Sequence, residues 1–242
     1  MITRSRHGHV EQVRLDAPPL HLLGRAMIDA LRGAFDDVRR DPPRAVVLHC
    51  AGGGADVREM AVLDEAGARE FISALHAACA AIRALDAPVI AAIDGPCVGA
   101  HLEVAAACDL RVASGRSVLA MPEIKVGIPS VIDAWWITRI CGLGAASALF
   151  FDGEPIDASE AHRIGLINRI GRPADALAWA QDIARLSPVA LAQQKRVLRD
   201  WTHDEYQRAA AASIERFAAT IAAGEASVAM QAMLDKIEAV FE

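Results

Sequence analysis

The sequence predicts an α/β fold that ends in a run of helices. Short apolar runs with strand character alternate with amphipathic segments over most of the chain, the rhythm of strands covered by helices. Proline and glycine clusters stand between them, where the chain must stop and turn. After Pro173 only the three-and-four spacing of helices remains.

Val10 to Leu15 alternates loosely and reads as a strand, stopped by Asp16-Ala-Pro-Pro19. Met27, Leu31, Phe35 and Val38 share one helical face, so Arg25 to about Arg39 is a helix closed by Asp41-Pro-Pro43. Arg44 to Cys50 is a more apolar strand leading into Gly52-Gly-Gly54. Ala55 to Met60 starts a short helix, and Asp64 to Leu85 is a long one with Phe71, Leu75, Ala78 and Ile82 aligned. Val89 to Ile93 reads as a buried strand that breaks at Asp94-Gly-Pro96. Past Gly99 the chain resumes as an Ala-rich helix.

Asp109 to Ala113 and Val118 to Met121 are the next strands, followed by a loop from Pro122 to Pro129. Helices are expected over Val131 to Cys141, Gly142 to Phe151, and from Asp157, with a last strand from Leu166 to Ile170. The tail reads as four helices: Ala174 to Leu186, Val189 to Trp201, His203 to about Ala222, and Ala226 to Phe241. Pro188 suits a helix first turn. No clean internal repeat and no low-complexity linker stand out.

The 242 residues suit one large domain, or one domain with an appendage, at about 150 residues per domain. The net charge of −6 argues against nucleic acid or an anionic membrane surface as a bulk partner. Five scattered cysteines without a C-x-x-C pair read as free thiols of a reducing compartment. The eight histidines show no metal-ligand spacing. There is no apolar leader and no uncharged run of 18 apolar residues, so the expected location is cytoplasmic.

Two carboxylates stand in apolar company. Glu103 lies within Leu102–Cys108, where its neighbours are apolar, and Glu123 follows Met121-Pro122. A glutamate in such a run is either on a solvated face or in a site that tunes its pKa. Pattern alone favours the solvated face for both. Gly52 to Ala55 and Val98 to Ala100 each join a strand to a helix and can present backbone N–H groups to a negative oxygen; they also read as plain tight turns. Gly52 to Gly54 fits neither a P-loop nor a dinucleotide fingerprint. No G-x-S-x-G elbow occurs, which argues against a serine hydrolase. His101 near Cys97 reads as a structural histidine, and Trp135-Trp136 as packing or interface.

Five stretches together resemble the enoyl-CoA hydratase/isomerase (crotonase) superfamily. They are Ala55–Met60, Ala92–Leu110, Met121–Pro129, Gly153–Asn168 and Ser187–Lys195. The resemblance implies a crotonase-type spiral of ββα turns over residues 1–186. It also implies a C-terminal helical region over 187–242 that builds homotrimers, often paired as hexamers. It places an oxyanion hole on the backbone N–H groups of Ala55 and Ala100, to hold a thioester oxygen as enolate charge develops. The family's acid–base pair falls on Glu103, which would position and activate water, and Glu123, which would handle the proton at C2. Acids at both matched positions reverse the preference for a solvated face.

The resemblance also implies an acyl-CoA thioester as substrate, with no separate cofactor because CoA is part of that substrate. Arg58, Gly99, His101 and Lys236 are the expected substrate- and CoA-binding positions. The implied reaction is hydration of a 2-enoyl-CoA to a 3-hydroxyacyl-CoA. A Δ3,Δ2-enoyl-CoA isomerase and a non-catalytic acyl-CoA-binding homologue are the rival readings.

Several positions depart from the family pattern. Ala100 and His101 replace usual glycines, so His101 is expected to narrow the pocket or touch substrate. Ser130-Val-Ile-Asp-Ala-Trp-Trp136 replaces a glycine-rich turn. Asp133 and the tryptophans are expected either to reshape the acyl pocket or, for Asp133, to be a solvated first-turn acid.

Overall fold

The computed structural model describes residues 1–236. Its strands are β1 (Ile2–His7), β2 (Val10–Leu15), β3 (Ala45–His49), β4 (Val89–Ile93), β5 (Pro96–Val98), β6 (Leu110–Ala113), β7 (Val118–Ala120), β8 (Ile156–Asp157) and β9 (Arg169–Ile170). They form a six-stranded sheet in the order β1-β2-β3-β4-β6-β9 and a three-stranded sheet in the order β5-β7-β8. From β2 to β9 the large sheet is parallel throughout. Parallel neighbours require long crossovers, and the helices supply them.

The helices are α1 (Arg25–Arg40), α2 (Val57–Met60), α3 (Glu65–Arg83), α4 (Ala100–Ala106), α5 (Ala134–Cys141), α6 (Leu143–Asp152), α7 (Ala158–Arg163) and α8 (Pro173–Ile183). Then come α9 (Pro188–Asp200), α10 (His203–Ala222) and α11 (Glu225–Asp235). A 3-10 turn occupies Glu123–Val126. The chain repeats one move: a strand into the large sheet, a strand into the small one, then helix. The sequences β4-β5-α4 and β6-β7-α5 are two such turns. After β3 the chain makes the same move with a single bridge, Gly52 to Cys97. This is the ββα spiral of the crotonase fold, invisible as a sequence repeat because the second strands are only two or three residues long.

Side-chain alternation gives the large sheet two covered faces. Val46 and Leu48 of β3 enter the main core with Phe35, Leu75 and Leu102. Ala45 and Val47 face the other way, toward Ala176 and Ala180 of α8. Covered on both sides, β4 is buried at every residue, which is why it reads as an unbroken apolar run. Helix α10 packs along α3 and α11 against α2, so the C-terminal helices close over the spiral. No single helix among the described residues is long and apolar enough to cross a membrane.

Most elements fall where expected, with instructive exceptions. Strand β1 is polar and exposed along nearly its whole length; only Ile2 packs against the core, so this edge strand carries no apolar alternation. The helix expected from Val131 begins only at Ala134. Ile132 has φ of 43° there, a conformation a β-branched residue rarely adopts, and it breaks the helix. The expected strand from Leu166 shortens to Arg169–Ile170, because buried Leu166 and Ile167 lie in the turn before it.

Asp133 corrects both expectations for it. It is fully buried, it does not border the cavity described below, and it is ion-paired with Arg83 of α3. Its other oxygen accepts the Tyr206 hydroxyl at 2.9 Å, and Arg83 donates to that hydroxyl at 2.7 Å. His76 lies 3.1 Å from the same hydroxyl. Trp135 and Trp136 pack their rings on Tyr206 with centroids 5.4 and 5.3 Å away. The departure from the family's glycine-rich turn therefore ties α3, α5 and α10 together. Breaking a buried ion pair strands the other charge. Asp133→Ala is expected to lower unfolding stability by about 3–5 kcal/mol in denaturant titration. A loss below about 1 kcal/mol would show that the network is not an anchor.

Candidate active site

An apolar cavity of about 310 Å³ lies between the spiral and the C-terminal helices. Its wall is assembled from distant segments. The loop after β3 supplies Gly54 and Ala55, the turn after β5 supplies Gly99 and Ala100, and α4 supplies Glu103. Glu123 enters from the 3-10 turn, and Phe71 and Phe217 from α3 and α10.

The two loops meet because the chain after β3 continues its pairing. Gly52 donates its N–H to the Pro96 carbonyl at 2.6 Å, and Val98 donates back to the Gly52 carbonyl at 3.1 Å. Gly54, with φ of 93°, passes so close to β5 that a Cβ there would stand 3.0 Å from the Val98 carbonyl oxygen. Glycine is required at such an approach. Gly99 has φ of 54°, and a Cβ on it would stand 2.8 Å from Glu123 Oε1. The site thus needs glycine at 99 twice, for conformation and for the carboxylate beside it.

Two backbone donors are left over. Ala55 turns its N–H away from Leu23: the Leu23 N–H bonds the Gly54 carbonyl at 2.9 Å, and the Asp56 N–H bonds the Leu23 carbonyl at 3.2 Å. Ala100 is the first residue of α4, so its N–H has no intrahelical partner. Neither N–H donates to any acceptor among the described residues. The positive-φ residues other than glycine are His21, Ile132 and Lys236, so Ala100 carries its Cβ without strain. An alanine here leaves its N–H free all the same.

The acids are held by the segment that follows them in the chain. Glu103, 4% exposed, accepts the Ala134 N–H at 3.3 Å. Burial, and then the charge of nearby Glu123, push its pKa well above the ordinary carboxylate range. Glu123 accepts the Ser130 hydroxyl at 3.0 Å. Burial raises its pKa to about 7, against the opposing pull of its hydrogen bonds. Carboxyls shifted in this way keep a proton at pH values where free carboxylates have lost theirs.

The cavity brings together Ala55, Gly99, Ala100, Glu103 and Glu123; His101, Arg58 and Lys236 are not on its wall. His101 corrects the expectation that it touches substrate. It is completely buried and points behind the glycine loop, where Nδ1 accepts the Gly54 N–H at 3.3 Å. The ring fills space that opens only because Gly52 has no side chain: a Cβ there would stand 2.4 Å from its Cε1. Arg58 is exposed and paired with Asp56, at 2.7 Å from Nη2 to Oδ2, one residue from Val57 on the cavity wall. Lys236 ends α11 in a left-handed conformation, exposed, while Met233 reaches the cavity.

Residue reading missed three contributors. Ser130 was visible only as a departure, Ala134 contributes backbone alone, and Phe217 sat in a helical row that reads as core. Among the described residues no cluster of three or more His, Cys, Asp or Glu side chains is placed to hold a metal ion.

The chain is similar to known proteins along nearly its whole length. The chain is 36% identical over 185 residues to the echA6 protein of Mycobacterium bovis, covering 74% of this chain and 73% of that one. It is 29% identical over 243 residues to the short-chain-enoyl-CoA hydratase of Clostridium acetobutylicum, covering 96% and 93%. A solved structure from Mycobacterium avium paratuberculosis K-10 superposes with a TM-score of 0.89 at 29% identity, over 99% and 98% of the two chains. The sequence profile described as enoyl-CoA hydratase/isomerase matches residues 5–242, and the chain belongs to that family.

Proposed function

We propose that this chain is a 2-enoyl-CoA hydratase, adding water across the 2,3-double bond to give a 3-hydroxyacyl-CoA. The observation that carries the reading is the meeting of two proton-retaining carboxyls and two unpaired backbone N–H groups on one apolar wall. In this reading the thioester oxygen lies between the N–H groups of Ala55 and Ala100. Attack of water at C3 moves the double-bond electrons toward the carbonyl, and those donors stabilise the enolate charge. Glu103 positions the water and takes a proton from it, while Glu123 delivers a proton to C2. The water's oxygen ends on C3, and its two protons are accounted for by the hydroxyl and the carboxyl pair.

Double-bond isomerisation is the rival reaction, and it needs only one proton-transferring acid. The presence of both Glu103 and Glu123 in the cavity favours hydration. The rival of a CoA-binding protein without catalysis rested on departures that would remodel the pocket. His101, Asp133, Trp135 and Trp136 lie off its wall, which weakens that case. For CoA itself, Gly99 on the wall and Arg58 beside it are the proposed contacts, with Lys236 reaching a neighbouring subunit's CoA. A homotrimer or hexamer is the proposed assembly. The exposed Val189, Leu198 and Trp201 of α9 and the turn after it offer apolar surface of the kind assembly covers. We place the protein in the cytoplasm, acting on an acyl-CoA with no further cofactor.

Replacing either acid with its amide removes a proton carrier and preserves shape. Glu103→Gln or Glu123→Gln is expected to slow crotonyl-CoA hydration at least about a hundredfold in a spectrophotometric assay. Near-wild-type turnover in either variant overturns the assignment, and faster conversion of a 3-enoyl-CoA than of crotonyl-CoA by the wild type assigns it to isomerisation.

The working form has one proton on the pair. In that form Glu103 is ionised and Glu123 protonated. Burial raises both pKa values, that of Glu123 to about 7, so kcat/KM is expected to rise and then fall around pH 7 as the pair passes from two protons to one and from one to none. A flat profile across that range contradicts the one-proton pair. Stability follows the opposite course. Folding raises the pKa of Glu123 from its ordinary 4.5 to about 7, so the folded chain holds a proton the unfolded chain has released. The stability present below pH 4.5 is lost as pH rises through about 7. Glu123→Gln is expected to flatten that decline in Tm, and a decline as steep as wild type would assign it to other groups.

A further inference from the structure

His101 follows the donor Ala100 directly and is bonded to Gly54, which directly precedes the donor Ala55. One side chain therefore spans both halves of the proposed oxyanion hole from behind. Three contacts fix it. Nδ1 accepts the Gly54 N–H at 3.3 Å, its carbonyl accepts the Cys50 thiol at 3.1 Å, and its ring lies against the bare Cα of Gly52. Its other nitrogen, Nε2, is buried with no partner. With Nδ1 accepting, the proton is on Nε2, and a buried N–H without a partner is destabilising. The protein carries that cost at a position where the family usually has glycine, so the Nδ1 contact must supply something in return.

We propose that His101 is a positioning residue of this site, a staple that fixes the Gly52–Ala55 loop against the start of α4 so that the Ala55 and Ala100 N–H groups converge on one oxygen. Gly54 needs such a partner. A loop of consecutive glycines has more backbone freedom than any other, and a donor displaced by about 1 Å can lose most of its effect on rate. Burial, with nearby His21 as the lesser cause, holds the His101 pKa down at about 3. The ring is therefore neutral, and Nδ1 keeps its lone pair. The staple acts through Ala55 and Ala100 and has no contact with substrate. It rests on the oxyanion reading of those two residues given above.

Three substitutions separate the hydrogen bond from mere filling. Asn places Oδ1 on the same bond path as Nδ1, Leu places a methyl there, and Gln moves the acceptor one bond farther. His101→Leu is expected to lower kcat for crotonyl-CoA at least about tenfold with KM within about threefold, since the loss falls on the transition state. His101→Asn is expected to restore most of it. The specific readout is the infrared carbonyl stretch of bound butyryl-CoA, a saturated thioester that cannot be hydrated. Its shift to lower frequency in the wild type should shrink in His101→Leu and return in His101→Asn. If His101→Leu does not fold, His101→Gln takes its place and should resemble the predicted Leu variant. Wild-type kcat and carbonyl shift in His101→Leu, or Asn no better than Leu, overturns the staple. A wild type that polarises the carbonyl yet hydrates nothing sinks the hydratase reading and leaves the staple intact.

Discussion

The site depends on one pairing, the parallel bridge that carries β3 past its end onto β5 through Gly52 and Cys97. Strands of a sheet end together, and the loops beyond them are then neighbours whatever their separation in sequence. Here that rule places Ala55 beside Ala100, each with an N–H that the sheet and helix leave unused. The close approach has a cost in side chains: Gly54 would collide with the Val98 carbonyl, and Gly99 with Glu123, if either carried a Cβ. The unused donors are thus a consequence of the spiral's pitch, and the glycines are what the pitch demands.

The carboxyls are held by a different device. The segment from Ser130 to Ala134 touches Glu123 with its first residue and Glu103 with its last. Between them Ile132 adopts φ of 43° and donates its N–H to Ser213 Oγ at 2.9 Å, and Asp133 locks to Arg83 and Tyr206. Strain of this kind persists only where the surroundings over-determine it, and the ion pair on one side with the Ser213 contact on the other does so. Helix α10 supplies both Ser213 and Tyr206, as well as Phe217 on the cavity wall. The C-terminal helices are therefore part of how the acids are placed, beyond any role in assembly.

What could be read from the residues follows from what leaves a period in them. Helices α1, α3 and α10 bury one stripe each, and strands β3 and β4 are buried on both faces, so their apolar spacing shows. Strands β5 and β8 are too short to alternate, and β1 buries only part of Ile2. The site was legible in a different way. Glu103 and Glu123 looked like ordinary solvated acids by pattern, and only the matched family positions reversed that. Backbone donors have no residue signature at all: Ala55 and Ala134 contribute N–H groups that any residue but proline owns. Asp133 misled because a first-turn acid and a buried counter-ion for Arg83 look the same until α3 is known to pass beside it.

His101 and Gly52 are best understood as one change made in two places. In a site of this fold the position after the second donor ordinarily needs no side chain, and an added ring there has only two directions to go. Toward the cavity it would meet substrate; behind the loop it meets the backbone at 52. Gly52 leaves that space free, since its Cβ would lie 2.4 Å from the imidazole. The ring takes it, and in doing so accepts the N–H of Gly54. The loop's first glycine, Gly52, is thus accounted for by the helix's departure from glycine. A substitution that looked in the sequence like an obstruction of the pocket is instead the element that joins its two halves.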